Sequence, residues 1–270
     1  MKTRIIVAAI GLPLLLIVLC FLPYPATAIF FVAVNAAGTW ELYHILHLEG
    51  RVGAMAATML AGAAMQFIIC TTGYWRCYVV VLPFLLLLFF CWIAYYEQEQ
   101  AFGLEGIAAS LFSGLCVSMG LGAMTVLRSM WGGRALVLAP LVVTFIGDSG
   151  AYFTGIRFGK RKMSPRTSPH KTIAGLIGGL ASSAVGMVIY GLVLRGFDMD
   201  LSLWKLAIVG LLGGAAAQLG DLSFSIIKRY AGVKDYSNLL PGHGGAYDRF
   251  DSTIFAAPTV LALFSLLEVV

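Results

Sequence analysis

Nine apolar stretches of about twenty residues follow one another with short polar connections, at residues 5–22, 27–46, 52–72, 77–96, 106–127, 135–156, 173–194, 203–226 and 252–270. A helix of about 20 residues reaches across the roughly 30 Å hydrocarbon core of a bilayer. Charged residues make up only 11% of the chain and the mean hydropathy is +0.89, against about 25% charged residues in soluble domains. No stretch alternates polar and apolar residues for long, which favours helices over a transmembrane barrel. The expectation is an all-α, polytopic integral membrane protein with about nine transmembrane helices. The connections are too short for a separate soluble domain, so residues 1–270 are read as one transmembrane domain. Lys2 and Arg4 ahead of an apolar run, with Ala26-Thr27-Ala28 downstream, have the form of a cleaved signal peptide. Because further apolar stretches follow at once, the run is read instead as the first membrane helix.

The formal charge of +5 is unevenly spread. Nine alternating helices put the N-terminus and the connections near residues 48, 100, 165 and 240 on one side. That side receives Lys2, Arg4, Arg51, the cluster Arg157, Lys160, Arg161, Lys162, Arg166 and Lys171, and then Lys228, Arg229, Lys234 and Arg249. The other side receives Arg76, Arg128, Arg134, Arg195 and Lys205, of which Arg128 and Arg134 run against the trend. The positive-inside rule makes the first side cytoplasmic, with the N-terminus in and the C-terminus out. The five cysteines lie in apolar stretches without metal-ligand spacing and read as packing residues. Only Cys70 and Cys77, flanking a short outer connection, are placed to pair in an oxidising compartment.

A carboxylate at the centre of a spanning helix costs about 2.5–3.5 kcal/mol, so an acid inside an apolar stretch needs an explanation. Asp148 and Asp221 are two such acids. Gln218, Asp221, Ser225, Lys228 and Arg229 recur at three- and four-residue steps, which places them on one helix face. Thr144, Asp148 and Tyr152 form a shorter stripe. The bland reading is that each acid pairs with a cation or caps a backbone, but two stripes ending beside basic connections weaken it. The connection from Arg157 to Lys171 carries six cations and no acid. Topology and attraction to anionic lipid explain much of it, at about 1 kcal/mol per cation. Lys171, in Ser168-Pro-His-Lys-Thr172 at the mouth of a helix, is also placed to meet a phosphate.

The strongest element is the polar connection before the last stretch. Pro241-Gly-His-Gly-Gly245 allows backbone conformations in which amides approach an anion closely, or it is an ordinary tight turn. His243 reads equally as general base, phosphate donor or turn residue. Asp251 reads as a helix cap or first-turn acid, with Ser252 and Thr253 opening the last helix. Asp248 with Asp221 offers oxygen ligands to Mg²⁺, which is usually held by one or two carboxylates together with substrate phosphates. No nucleophile elbow, zinc-protease motif or P-loop is present. Aromatic residues do not interleave with the basic connections, so nucleic acid is not an expected partner.

The run Ser225-x-x-Lys228-Arg229-x4-Lys234-Asp235-x-Ser237-x2-Leu240-Pro241-x-His243-Gly244-Gly245-x2-Asp248-Arg249-Phe250-Asp251 resembles the signature of phosphatidate cytidylyltransferases, or CDP-diacylglycerol synthases. Gly147-Asp148-x2-Ala151-Tyr152-Phe153-x-Gly155, Ser168-Pro169-x-Lys171-Thr172-x2-Gly175 and Gly220-Asp221-Leu222 are similar to that family's accompanying motifs. In motif form the resemblance covers about residues 140–255, with a catalytic half at about 135–255. Two residues depart from the family pattern. Ala246 stands where a larger aliphatic residue is usual, and Ala174 where glutamate is usual.

The resemblance implies the reaction of CTP with phosphatidate to give CDP-diacylglycerol and pyrophosphate in phospholipid biosynthesis, at a cytoplasm-facing cavity in the inner (plasma) membrane. It implies metal binding by Asp221 and Asp248, with Asp148, using Mg²⁺ and leaving room for a second ion such as K⁺. Lys171, Lys228, Arg229 and Arg249 would clamp phosphates, with His243 close to the transferred group. The Gly244-Gly245 amides would lie close to the same group, and Ser225, Lys234, Asp235, Gly244 and Gly245 are the implied cofactor-binding residues. The implied partners are CTP, phosphatidate and the lipid bilayer, and a homodimer is left open. Two alternatives remain: a CTP-dependent polyprenol-type lipid kinase, which would release CDP, and a cation-coupled secondary transporter using Asp148 and Asp221.

Overall fold

A computed structural model describes residues 2–97 and 102–269. The expected connection near residue 100 therefore lies largely outside the described residues, as do the side chains of Lys2 and Arg4. Among the described residues each of the nine apolar stretches is mostly helical. The helices are α1 (Lys2–Leu16, continued by a π-turn over Ile17–Phe21), α2 (Tyr24–Ile45), α3 (Val52–Thr72) and α4 (Tyr78–Glu97). Then come α5 (Gly103–Leu111), a π-segment (Phe112–Val117), α6 (Ser118–Ser129), the single turn α7 (Gly133–Leu136) and α8 (Ala139–Phe158). They end with α9 (Ile173–Arg195), α10 (Leu203–Tyr230) and α11 (Tyr247–Leu266).

Among the described residues, six helical segments are long and apolar enough to cross a membrane: Val52–Arg76, Tyr78–Tyr96, Gly103–Ser129, Gly133–Phe158, Ile173–Arg195 and Leu203–Tyr230. Helices α2 and α11 have the length but carry polar residues inward. In α2, Asn35, Thr39 and Glu41 are buried, and in α11 Asp248, Ser252 and Thr253 are. Helix α4 shows the opposite pattern, with Leu82, Leu86, Phe90 and Ile93 exposed, as an apolar surface facing lipid tails would be.

The chain packs as two compact units, one from Met1–Val126 with Tyr230–Arg249, the other from Leu127–Arg229 with Phe250–Val270. In the first, Met65 and Ile69 of α3 pack with Phe84 and Leu88 of α4. The same unit holds a buried chain of hydroxyls and amides, in which Asn35 Nδ2 donates to Ser118 Oγ at 2.8 Å and Gln66 Nε2 to the Ser118 carbonyl at 2.9 Å. In the second, α8 and α9 lie side by side along a seam of small residues. A Cβ on Gly179 would come within 3.0 Å of the Gly147 carbonyl oxygen, so glycine there permits the backbones to meet.

One element departs from the all-helical expectation. The basic connection after α8 folds into a short antiparallel hairpin, β1 (Lys162–Ser164) with β2 (Ser168–Thr172), pairing Lys162 with Thr172 and Ser164 with Ser168. The prolines and cations of this segment gave no strand periodicity from which to expect it. Cys70 and Cys77 are free thiols, not a disulfide. Helix α11 begins at Tyr247, so Ser252 and Thr253 lie within it instead of opening it. Asp251 lies inside the helix as well, with its Oδ1 accepting from the Ser252 amide at 2.7 Å.

Candidate functional site

Asp148, Lys171, Gln218, Asp221, Ser225, Lys228 and Arg229, all singled out from sequence, lie in the segment 127–229. On α10, Gln218, Asp221 and Ser225 occupy successive turns of one face, as their spacing predicts. Lys171 reaches them from the end of β2. Its position is fixed on both sides: the hairpin holds β2, and Thr172 caps α9 by accepting the Gly175 amide at 3.0 Å.

From there Lys171 Nζ lies 2.5 Å from Asp221 Oδ2 and donates to Gln218 Oε1 at 3.2 Å. Gln218 Nε2 in turn donates to Asp148 Oδ1 at 3.5 Å, and Ser225 Oγ to Asp221 Oδ1 at 3.3 Å. One ammonium thus serves two carboxylates, directly for Asp221 and through an amide for Asp148. The lysine expected to await a phosphate is engaged with an acid. Lys228 is buried at 8% exposure, and Arg229 Nε donates to the Thr167 carbonyl at 3.2 Å, tying the end of α10 to the hairpin turn.

The Lys171–Gln218–Asp148 part of this chain borders an open cavity of about 490 Å³, lined also by Tyr152, Lys162 and His170 among others. That volume is in the range of small-molecule sites. Its polar groups are hard oxygen donors and cations, which suit a phosphate accompanied by a hard metal ion. Among the described residues no three His, Cys, Asp or Glu side chains converge on a ready-made metal site. Asp148 is the carboxylate among the cavity's lining residues, and Mg²⁺ is usually held by one or two carboxylates with substrate phosphates completing the shell.

The second group of predicted residues surrounds the glycine-rich turn. Leu240 and Gly244 pair across it, the His243 amide donates to the Leu240 carbonyl at 2.8 Å, and Gly242 and Gly244 take φ of 79° and 82°. These φ values lie in the region that favours glycine. Asp248, in the first turn of α11, folds back over the turn, its Oδ2 accepting the Tyr236 amide at 2.8 Å and the Gly245 amide at 2.9 Å. The Gly245 amide, expected to face an anion, is spent on this carboxylate. A Cβ on Gly244 would stand 2.7 Å from Asp248 Oδ2. Among the described residues His243 Nδ1 is a buried side-chain nitrogen without a hydrogen-bond partner. Arg249, Lys234 and Asp235 are exposed. Asp235 lines a second cavity of about 360 Å³ with Trp40, His44, Ser237 and Asn238.

Sequence reasoning missed Glu41. It lies in the apolar stretch 27–46, so the cost argument that picks out Asp148 and Asp221 applies to it equally. Glu41 is 0% exposed and accepts from Ser237 Oγ at 2.7 Å, the Ala246 amide at 2.7 Å and the Tyr247 amide at 3.2 Å.

The sequence pattern of the Cytidylyltransferase family matches residues 2–267. The phosphatidate cytidylyltransferase of Pseudomonas aeruginosa is 35% identical over 282 aligned positions, covering 97% of this chain and 96% of that protein. Phosphatidate cytidylyltransferases of Staphylococcus haemolyticus and Bacillus subtilis are 41% identical over 140 residues and 43% over 136. In these two alignments the chain spans about half the length of the relative, 53% and 49% respectively. With a family match over nearly the whole sequence and a full-length relative above 30% identity, the chain belongs to the Cytidylyltransferase family.

Proposed function

We propose that this protein acts as a phosphatidate cytidylyltransferase, joining CTP and phosphatidate into CDP-diacylglycerol and pyrophosphate. The observation that supports the reading is the Ser225–Asp221–Lys171–Gln218–Asp148 chain, whose Lys171, Gln218 and Asp148 line an open cavity, in a member of the Cytidylyltransferase family. A phosphatidate oxygen forms a bond to the α-phosphorus of CTP, while the bond from that phosphorus to the bridging oxygen of the β-phosphate breaks. Pyrophosphate leaves with the electron pair. Both reactants are anions, so the protein's work is to hold them together and stabilise charge on the leaving group.

Lys171 is suited to that work, because it can pass from Asp221 to a phosphate oxygen when substrate brings a competing cation. Lys228, Arg229 and Arg249 add positive charge, and His243 offers a ring nitrogen to a phosphate. Mg²⁺, read as held by Asp221 and Asp248 with Asp148, would neutralise phosphate oxygens and polarise the reacting phosphoryl group. A second ion such as K⁺ belongs to the same reading. We place the protein in the inner membrane with nine spans, the N-terminus cytoplasmic and the C-terminus outside, on the distribution of Lys and Arg.

The test is a mixed-micelle assay with α-labelled CTP, phosphatidate and Mg²⁺. Labelled lipid and unlabelled pyrophosphate are expected, and both should disappear in Asp221→Asn and Asp248→Asn. Absence of label from the lipid would remove the reaction, and unchanged turnover in the two variants would remove the metal assignment.

A further inference from the structure

Among the described residues Glu41 is the most deeply buried acid, and the reaction above gives it no part. Each of its three hydrogen bonds comes from a donor, the pattern an acceptor-only carboxylate satisfies. The donors come from both ends of one segment: Ser237 at its start, Ala246 and Tyr247 at its close. Between them lies the whole turn Pro241-Gly-His-Gly-Gly245. The Ala246 and Tyr247 amides stand at the start of α11, where a helix has no carbonyl of its own to offer, so Glu41 caps that helix from α2. Asp248 holds the residues just inside and outside these anchors, through the Tyr236 and Gly245 amides.

The fit around Glu41 is close on every side. A Cβ on Gly245 would lie 2.5 Å from its carboxylate, so the second glycine of the pair makes room for Glu41. The Tyr247 ring lies against Gly38, one turn earlier on α2. The Tyr247 hydroxyl sits 2.7 Å from Ser113 Oγ and donates to Asn35 Oδ1 at 3.0 Å, and Asn35 Nδ2 donates to Ser118 Oγ at 2.8 Å. Helix α2 is therefore tied to the start of α11 by a buried polar network.

We propose that Glu41 is a positioning residue: it pins both ends of the signature turn and so sets where Asp248 and His243 stand. The proposal rests on the reading of that turn as part of the cytidylyltransferase reaction. Its test compares backbone hydrogen exchange and steady-state kinetics of the full-length protein in detergent micelles for the wild type, Glu41→Gln, Ser237→Ala and the double variant. Glutamine keeps the volume and one acceptor but turns an amide donor toward a donor. Exchange across residues 236–248 should accelerate about tenfold or more in Glu41→Gln. kcat should fall at least about tenfold, the scale of one lost charge-assisted hydrogen bond, with KM for CTP within about threefold.

Ser237→Ala should show a smaller change in the same direction, and the double variant should be no worse than Glu41→Gln. Unchanged exchange in that segment, or effects of the two substitutions that multiply, would overturn the proposal. If Glu41→Gln does not fold, Ser237→Ala and Gly245→Ala decide: faster exchange and lower kcat support pinning, and wild-type behaviour in both refutes it. If the wild type makes no labelled lipid, the reaction reading fails, while the exchange comparison still decides whether Glu41 pins the turn.

Discussion

Lys171 and Asp221 form an ion pair whose side chains are 20% and 27% exposed, and removing both partners should cost less than the sum of removing each. At an effective dielectric of about 20, unit charges 4 Å apart attract by roughly 4 kcal/mol. Partial exposure screens part of this, and fully exposed pairs contribute only about 0–1 kcal/mol. We therefore expect a coupling of about 1–3 kcal/mol, between the exposed and buried limits. Lys171→Met leaves Asp221, and Asp148 beyond Gln218, without their ammonium. Asp221→Asn leaves the ammonium without its carboxylate. The double variant removes the mismatch.

The assay is thermal unfolding of the four proteins in one detergent, where 1 kcal/mol corresponds to about 2–4 °C for domains of 150–250 residues. Each single variant should melt several degrees lower, and the loss in the double variant should fall short of the sum by the coupling. Additivity within about 0.5 kcal/mol would show that the pair does not hold β2 to α10. Product formation should drop in all three variants, because the same groups are assigned to substrate.

Two further substitutions probe the supports of the site. Gly244→Ala places a methyl group at φ of 82° and 2.7 Å from Asp248 Oδ2, so stability should fall by more than about 1 kcal/mol and product formation with it. Wild-type melting and turnover would mean that the turn adopts another backbone. Thr172→Ala removes the cap on the Gly175 amide and should cost about 0.5–2 kcal/mol. Because Lys171 precedes it directly, turnover should decline as well, and a melting shift with unchanged turnover would separate the cap from the lysine.

The parts of this structure that follow from helical periodicity were legible in the sequence. The stripe from Gln218 to Arg229 lies on one helix, and its internal hydrogen bond from Ser225 to Asp221 spans a single turn. Contacts between distant segments were not legible. Nothing in the spacing of Lys171 says that a hairpin will turn it onto Asp221, because three- and five-residue strands carry too few positions to show a period. Asp248 is a similar case. Its oxygen chemistry was evident, yet its use on the amides of Tyr236 and Gly245 depends on α11 starting at Tyr247, five residues before the apolar run at 252. The burial of Glu41 was hidden for a different reason: its partners lie 196 to 206 residues away in the chain. Only its presence in an apolar stretch signalled it.

Ala174 stands where the sequence resemblance implies glutamate. It is the second residue of α9, whose first turn contains no acid. A glutamate there would meet the positive end of the helix dipole, worth about 0.3–1 kcal/mol. The direct cap is already made, since the Thr172 hydroxyl holds the Gly175 amide. Ala174→Glu should therefore raise the melting midpoint by about 1–4 °C and leave turnover within about twofold. The alternative is that a carboxylate at this position belongs to the reaction itself, close to Lys171. In that case turnover would rise tenfold or more and the Mg²⁺ concentration for half-maximal activity would fall, whatever happened to the melting midpoint. The satisfied cap favours the first outcome, because the helix end has already met its most costly need.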